Sequence, residues 1–245
     1  MYKKLLKTLV MVSLIAFTFG SLHAFAEDDS LSISADVGVF SQYVWRGYAL
    51  SDESIVIQPS VTFGYRGFNL NVWGNFDTDY YDTGTDYNET DFTLSYNWTY
   101  EIIKLGVGYI YYDIEQEGAE DTREVFFTAT FEGYLNPSFK FYKDIDAAKG
   151  WYVNFGVSHS YAITPLYNLD LSASIGYYDL DDGSYNEVHD GNITASMVLP
   201  INDHLSMTPS LSYIFGVTPD SRDELRDYKG NSDHFVGGFT CTYTF

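Results

Sequence analysis

The feature that most constrains the fold of this chain is an alternation of apolar and polar residues with a period of two. It is clearest in residues 68–77, 92–100 and 169–178. In the first of these segments one face carries Phe68, Leu70, Val72, Gly74 and Phe76, and the other carries Asn69, Asn71, Trp73, Asn75 and Asp77. Because successive side chains of a strand point to opposite faces, this pattern is typical of strands whose two faces meet different surroundings. The sequence therefore predicts an all-β protein.

The alternation predicts twelve strands. Their approximate bounds are 31–46, 54–65, 68–77, 90–100, 102–112, 124–132, 138–143, 151–163, 169–178, 192–199, 205–216 and 234–245. Tight connections near 66–67, 101, 133–137, 164–168 and 200–204 alternate with longer ones near 47–53, 78–89, 113–123, 144–150, 179–191 and 217–233. An even number of strands with short turns on one side and long loops on the other is typical of bacterial outer-membrane barrels.

The placement of the aromatic residues favours a membrane barrel over a soluble β-sandwich. The chain has 23 Tyr, 18 Phe and 4 Trp, and many of them stand near predicted strand ends, where interfacial girdles belong. The opposite strand face carries Asn, Ser, Thr and Gly, which are too polar for the dry core of a sandwich. We therefore predict a transmembrane antiparallel up-and-down β-barrel of about 12 strands.

The first 26 residues have the three parts of a secretory signal peptide. Three lysines precede a largely apolar run at residues 9–19, and Ala24-Phe25-Ala26 forms a small-x-small cleavage site. The apolar run is shorter than the roughly 20 residues that a spanning helix needs. We expect a signal peptide at 1–26, a barrel domain at 27–245, and localisation in the outer membrane of a Gram-negative bacterium.

The charge of the chain excludes nucleic acid as a partner. The sequence has 34 Asp and Glu against 13 Lys and Arg, and most of the carboxylates lie in or beside the predicted long loops. Such a chain repels nucleic-acid phosphates, while its many aromatic residues argue against disorder. Its one cysteine, Cys241, cannot form an intramolecular disulfide. No sequence motif indicates a cofactor or a metal site, so we expect neither.

The last predicted strand indicates how the chain reaches the membrane. Phe235, Phe239, Cys241, Tyr243 and Phe245 share one face of this strand. A terminal aromatic preceded by alternating apolar residues resembles the assembly signal of bacterial barrels. We therefore expect the barrel-assembly machinery as a partner during biogenesis, with outer-membrane lipid and lipopolysaccharide around the folded protein.

A short motif near the end of the first predicted strand carries a family resemblance. Ser41-Gln42-Tyr43-Val44-Trp45-Arg46-Gly47 resembles the Ser-x-Tyr-x-x-Arg-Gly motif of the TorF-type porin family. Residues 55–75, with Gln58-Pro59 and Trp73-Gly74, continue the likeness. The resemblance implies a proteobacterial outer-membrane barrel with a pore function.

The polar face of the predicted strands would line the barrel lumen. It includes Asp36, Gln42, Arg46, Asn69, Asn71, Trp73, Asn75, Lys104, Tyr112, Glu124, Glu132, Lys140, Tyr142, Tyr152, Asn154, Asp170 and His234. Charges on a lumen wall set the selectivity of a pore. Our candidates for pore-lining residues are Arg46, Asn71, Trp73, Asn75, Lys104, Glu132, Lys140 and Asp170.

Two of these positions allow two interpretations each. Hairpin register would place Lys104 roughly opposite Glu132, either as part of a charged constriction or as a salt bridge that ties strands together. Arg46 would either meet a substrate at the outer mouth or pair with Asp52 or Glu53 of the first loop.

We expect the barrel to act as a narrow passive pore for small hydrophilic solutes. Twelve strands give a bore between that of a filled eight-stranded barrel and the wide channel of a sixteen-stranded porin. The alternative is a non-conducting barrel that serves as an envelope scaffold or as a surface for interactions. An enzyme is a third class, with His159 between Ser158 and Ser160 as its candidate cluster. Those serines point to the face opposite His159, and a nucleophile needs a base within hydrogen-bond reach, so we expect no enzymatic activity.

Overall fold

Twelve antiparallel strands close into a ring in the computed structural model of the protein, which describes residues 30–79, 86–115 and 119–245. The barrel strands are β1 (Ser32–Phe40), β2 (Val56–Tyr65), β3 (Phe68–Asp77), β4 (Asp86–Tyr100), β5 (Ile103–Ile114), β6 (Thr122–Phe131), β7 (Ser138–Asp144), β8 (Gly150–Ala162), β9 (Asn168–Leu180), β10 (Asn186–Met197), β11 (Leu205–Gly216) and β12 (Asp233–Thr244). Each strand pairs with its neighbours in sequence, and β1 pairs with β12. The predicted all-β barrel of 12 antiparallel strands is therefore confirmed. The signal peptide predicted at 1–26 lies outside the described residues.

The strand bounds follow the prediction closely except at the first strand and at two of the long loops. The predicted strand 31–46 ends at Phe40, because the chain then turns into the lumen. β4 and β10 begin at Asp86 and Asn186, several residues before the predicted starts, so their preceding loops are shorter than expected. We call the end with the tight connections the turn end and the other end the loop end.

The outer face of the barrel is apolar. Leu94, Phe155 and Leu211 are 53%, 56% and 55% exposed on the face that points away from the lumen. Outward aromatic rings meet near both ends of the strands, with Phe68, Tyr96 and Trp98 toward the turn end and Phe141, Trp151 and Tyr177 toward the loop end. An apolar face between two aromatic belts is suited to a lipid surrounding.

The lumen wall toward the turn end consists of hydrogen-bonded polar side chains. Asp36 on β1 accepts a hydrogen bond from the Thr242 hydroxyl at 2.6 Å and one from the Ser60 hydroxyl at 3.3 Å. Asn71 donates to the Thr62 hydroxyl at 2.8 Å. These bonds join neighbouring strands, and they keep the polar groups on the wall rather than across the lumen.

Candidate functional site

The first long connection folds into the lumen as a small β-hairpin. Val44–Trp45 pairs with Tyr48–Ala49, and the turn residues Arg46 and Gly47 both have positive φ, 48° and 86°. Positive φ at both central residues is the mark of a type I′ turn, which matches the twist of a two-residue hairpin. Glycine suits the second of these positions because it lacks a Cβ. We call residues 43–50 the inward hairpin.

Hydrogen bonds at its base hold the inward hairpin in shape. The Leu50 N–H donates to the Tyr43 carbonyl at 2.8 Å, and the Tyr43 N–H donates to Oγ of Ser51 at 2.7 Å. The buried Gln42 amide donates to the Ser51 carbonyl at 3.3 Å. Because these partners all lie within ten residues of one another, the local sequence itself determines the shape of the hairpin.

The tip carries Arg46 to a carboxylate on the barrel wall. Nη1 of Arg46 lies 2.7 Å from Oε1 of Glu124 on β6, and Nη2 lies 2.8 Å from Oε2. The Tyr112 hydroxyl of β5 donates a third hydrogen bond to Oε2 at 2.8 Å. The side chains of the ion pair are only 7% and 4% exposed. Two parallel charge-assisted bonds in such a site are strong and specific in geometry.

Three aromatic rings surround the Arg46 guanidinium. Its central carbon lies 4.3 Å from the ring centroid of Trp45, 4.5 Å from that of Tyr142 on β7 and 4.6 Å from that of Tyr152 on β8. A cation at these distances is attracted by the ring quadrupoles, more strongly where water is excluded. The rings therefore both attract the charge and shield the ion pair from solvent.

The ion pair keeps Arg46 charged despite its burial. Burial acts to lower the pKa of the guanidinium, but the adjacent Glu124 carboxylate outweighs burial and the pKa is raised. The pair is therefore a fixed, neutralised contact and not a free positive charge in the lumen.

A second long connection packs against the inward hairpin. It contains the helix α1 (Pro219–Glu224). Thr218 caps the N-terminus of this helix, because its side chain accepts a hydrogen bond from the Ser221 N–H. Leu225 follows α1 and is 1% exposed. A Cβ on Gly47 would lie 2.7 Å from Cδ1 of this leucine, so the two segments are in close contact.

Within the described ranges no helix is long and apolar enough to cross a membrane.

Polar contacts also join these two connections. The Tyr48 hydroxyl donates to Oε1 of Glu224 at 3.2 Å. Nζ of Lys229 lies 3.0 Å from Oδ1 of Asp52 and 2.9 Å from Oε2 of Glu53. Asp52 and Glu53, which the sequence suggests as partners for Arg46, therefore pair with Lys229 instead.

A β-bulge on β10 supports the aromatic wall of the site. The pairing register between β9 and β10 shifts between Ile175 and Tyr177, and Asp190 lies at this bulge with its side chain buried. Asp190 accepts a hydrogen bond from the Tyr152 hydroxyl at 2.8 Å. Gly176 allows this approach, because a Cβ there would lie 2.1 Å from the Asp190 carboxylate and 2.4 Å from the Tyr152 hydroxyl.

A cavity of about 310 Å³ borders the Arg46–Glu124 pair on the side of β4 and β5. Tyr43, Trp45 and Leu50 of the inward hairpin form one wall, and Tyr112 and Tyr178 belong to the barrel. Its charged lining groups are the carboxylates of Glu89, Glu120, Glu124 and Asp144. The described residues of this lining include no Lys or Arg, so the cavity is both aromatic and acidic.

Tyr43 stands at the acidic edge of that cavity. Burial, followed by the nearby carboxylates of Glu89 and Asp91, raises the pKa of its hydroxyl well above the usual value. Its ring centroid also lies 5.6 Å from that of Trp73 on β3. The tyrosine therefore remains a neutral hydrogen-bonding group that fixes the base of the inward hairpin to the wall.

The structure separates the other predicted pore-lining residues into two regions. Lys104 and Glu132 form an ion pair of 2.6 Å near the turn end, with side chains 59% and 48% exposed. Lys140 lies exposed on β7, and Asp170 is half-buried on β9. The turn-end charges are therefore apart from the Arg46 site and accessible to solvent.

The predicted residues of β3 lie on the lumen wall. Asn75 is fully buried and donates to Oδ1 of Asn88 at 2.8 Å, while it accepts from Gln58 at 3.0 Å. Asn71 and Trp73 are half-buried on the same face. Near the loop end this face therefore forms an amide network and not an open polar surface.

Several contributors to the site fall where the sequence predicts loops. Asp190 lies in the predicted loop 179–191 and Leu225 in the predicted loop 217–233, where the alternation gives no signal. Glu124, Tyr142 and Tyr152 belong to the predicted lumen face, but their meeting around Arg46 depends on the inward hairpin. In the sequence, Gly47 is the local signal of a tight turn at this place, because glycine readily adopts positive φ.

Comparison with known proteins supports the fold. An outer membrane channel from Pseudomonas putida F1 is similar over 92% of this chain and 98% of its own, with 10% identity and a TM-score of 0.51. OmpT of Vibrio cholerae, in a variant that lacks loop L8, has 8% identity and a TM-score of 0.42 over 89% and 100% of the two chains. OmpF of Salmonella typhi has 9% identity and a TM-score of 0.42 over 90% and 99%. No protein-family model and no curated protein matches the sequence.

The Pseudomonas channel shows that this chain has the fold of an outer-membrane β-barrel. Membership of the TorF-type family stays a prediction from the motif at residues 41–47. In the structure that motif forms the start of the inward hairpin, with its arginine and glycine at the tip.

Proposed function

We propose that the protein is a narrow outer-membrane pore for small hydrophilic solutes, and that the inward hairpin restricts its lumen. The observation that carries this proposal is the arginine-tipped hairpin lying inside a closed barrel whose wall is polar toward the turn end. The neighbour of the same fold from Pseudomonas putida is itself an outer membrane channel. Loops that fold into a barrel lumen narrow it, and lumen width and charge govern what passes.

In this proposal the apolar outer face lies in the outer-membrane bilayer. The loop end, which carries the longer connections and most carboxylates, faces the exterior, where lipopolysaccharide surrounds the rim. Export by the N-terminal segment and insertion by the barrel-assembly machinery precede this state. The polar turn end opens toward the periplasm.

Passage would depend on different residues at the two ends. Arg46 is held by Glu124 and lies under three rings, so it acts as a part of the barrier and not as a free contact for solutes. Lys104, Glu132, Lys140 and Asp170 line the more open turn end, where they set the local charge. Asn71 and Trp73 line the wall between these regions, whereas Asn75 is buried in the amide network near the loop end.

Single-channel recordings test the proposal. Residues 27–245 are refolded, barrel formation is verified by heat-dependent gel mobility, and the protein is inserted in planar bilayers. We expect small unitary steps for the wild type and larger steps when residues 43–50 are replaced by a short Gly-Ser linker. A matched control with the same linker in the exposed loop 181–184 should conduct like the wild type.

A specific observation favours the second candidate, a non-conducting envelope barrel. Two connections pack against each other at the loop end, and the Arg46–Glu124 pair is almost wholly buried. If verified barrels gave no unitary steps with or without the inward hairpin, the pore proposal would be overturned in favour of this alternative.

A further inference from the structure

We propose that Glu124, Tyr142 and Tyr152 form a guanidinium-binding site on the barrel wall, which Arg46 of the inward hairpin occupies as a tethered ligand. Free alkylguanidinium compounds would compete for it. The three wall residues come from the consecutive strands β6, β7 and β8. The binding is independent of conduction, so it can hold or fail separately from the proposed pore function.

The wall supplies both elements that recognise a planar cation. Glu124 presents its two oxygens side by side, at 2.7 and 2.8 Å from the two guanidinium nitrogens. Tyr142 and Tyr152 present their rings at 4.5 and 4.6 Å from the guanidinium carbon. A carboxylate fork with flanking rings suits guanidinium better than ammonium, because the ammonium group is a point charge that cannot bond in a parallel pair.

The wall residues are fixed by partners that do not belong to the hairpin. Tyr112 donates to Glu124 at 2.8 Å, and Tyr152 donates to Asp190 at 2.8 Å. These bonds run between strands of the closed barrel, and neither of them involves Arg46. The site is therefore preorganised for its ligand, which reduces the ordering that binding requires.

The occupant, in contrast, belongs to a short segment outside the barrel ladder. The inward hairpin has two paired residues on each side, and its neighbour across the contact is another loop segment. A tethered side chain competes with a free ligand at an effective concentration in the millimolar range or above. Removal of the Arg46 side chain should therefore expose the wall site to ligands from solution.

The adjacent cavity defines the rest of the ligand. It has a volume of about 310 Å³, it borders Glu124, and its apolar lining includes Leu50 and Ile114. A small alkyl group on the guanidinium has room there. Glu89 and Asp144 also line it, so a ligand with its own carboxylate, such as free arginine, would be repelled. The site thus favours monoalkylguanidinium cations without acidic groups.

Calorimetric titration with ethylguanidinium tests this inference. The protein is Arg46→Ala as a folded barrel in detergent, and N-ethylurea serves as a neutral ligand of similar shape. Hydrogen bonds between charged groups predict that ethylguanidinium binds at least about tenfold more tightly than N-ethylurea. Wild-type protein should bind ethylguanidinium at least about tenfold more weakly than the variant, because Arg46 competes.

The double variant Arg46→Ala/Glu124→Gln is the matched control. It keeps the cavity and both rings but lacks the carboxylate, so the preference for ethylguanidinium should disappear. Equal affinities for the two ligands in Arg46→Ala, or an unchanged preference in the double variant, would overturn the proposal.

If Arg46→Ala does not fold, hydrogen exchange of the wild-type protein tests the inference instead. Ethylguanidinium should then accelerate hydrogen exchange of the amides in residues 43–50 by about tenfold or more relative to N-ethylurea, because released hairpin amides exchange with solvent. The amides of β9 should be unaffected. Equal exchange of the hairpin amides in the two compounds would contradict the inference.

Discussion

Arg46 and Glu124 illustrate what a buried ion pair does at the scale of single residues. Both side chains are more than nine-tenths buried, and they are joined by two parallel hydrogen bonds. The desolvation of two such charges offsets much of their attraction, so the intact pair adds little net stability. Its value lies in specificity, because an uncompensated partner in the same place is strongly unfavourable. The pair therefore fixes where the hairpin tip lies.

This asymmetry predicts the outcome of a double-mutant cycle. Arg46→Met and Glu124→Gln should each lower the free energy of opening of the inward hairpin by about 3–5 kcal/mol, because each leaves one buried charge unpaired. The double variant should lower this free energy of opening by less than the sum of the two single effects. Hydrogen exchange of the residue 43–50 amides measures the opening. Lys143→Met, which removes a more exposed ion pair with Asp181, is the control and should change stability by less than about 1 kcal/mol.

Ionisation of Tyr43 should make the stability of the inward hairpin depend on pH. Its pKa is raised in the folded protein, first by burial and then by Glu89 and Asp91. A raised folded pKa contributes stability that is complete below the unfolded value of about 10 and is lost as the pH rises through the folded pKa. The inward hairpin should therefore loosen at strongly alkaline pH.

Ultraviolet difference titration of tyrosinate checks this expectation. Subtraction of the Tyr43→Phe curve from that of the wild type should leave one tyrosine that ionises clearly above pH 10. Tyr228, an exposed tyrosine whose pKa is raised by its hydrogen bond to Asp52 and not chiefly by burial, gives a second comparison through Tyr228→Phe. A Tyr43 titration at the ordinary pH would contradict the buried placement of the hairpin base.

Sequence reasoning succeeded at the residue scale where contacts are local. Lys104 lies on β5 and Glu132 directly follows the adjacent strand β6, so the alternation with hairpin register predicts their meeting, which the ion pair of 2.6 Å shows. Arg46 and Glu124 are 78 positions apart in the sequence. Their pairing depends on the direction in which a loop folds, and no periodic pattern encodes that direction.

At the scale of elements, the inward hairpin and α1 depend on one close contact. Gly47 has φ of 86°, and a Cβ there would lie 2.7 Å from Cδ1 of Leu225 and 3.1 Å from Cβ of Asp190. Gly230 has nearly the same φ, 87°, but a Cβ there would meet nothing within 4 Å. Substitutions at these two glycines can therefore distinguish the effect of backbone strain from the effect of steric exclusion.

Alanine substitutions at these two glycines give different expected results. Gly230→Ala should lower stability by about 1–2 kcal/mol through backbone strain alone. Gly47→Ala should add a steric effect and displace the hairpin from α1, which increases hydrogen exchange at residues 43–50. Leu225→Ala in the Gly47→Ala background should recover part of that loss, because it removes the atoms nearest to the new methyl group. Equal effects of both glycine substitutions would rule out the close packing.

The predicted strands show where alternation is sufficient to place an element. The bounds 68–77 and 205–216 agree with β3 and β11, because both strands alternate without interruption between clear turns. The first predicted strand runs six residues too far, since the inward hairpin keeps an apolar-polar alternation although its surroundings change. The start of β10 was missed because its bulge breaks the period of two and its polar residues resemble a loop.

At the scale of the whole molecule, charge and topology are arranged along one axis. The chain has a formal net charge of −21, and most carboxylates lie at the loop end, while the turn end has the exposed Lys104 in its lumen wall. Exposed charges act over about 10 Å at 0.1 M salt and about 3 Å at 1 M. If the barrel conducts, the acidic loop end should therefore enrich cations at low salt, and the enrichment should fade as salt is added.

Lys104→Glu provides the sharpest test of this arrangement, because it reverses a charge inside the lumen without touching the loop end. The side chain is 59% exposed and its partner Glu132 is 48% exposed, so the substitution should leave the barrel folded and raise the cation preference in reversal-potential measurements. Lys143→Glu makes the same change of charge on the outer face near the loop end and should have a much smaller effect. Both differences should shrink at 1 M salt, where screening confines the field of each charge to about 3 Å. Equal shifts from the two variants would mean that selectivity follows net charge alone, and a shift that persisted at high salt would point to direct contact between Lys104 and the permeating ion.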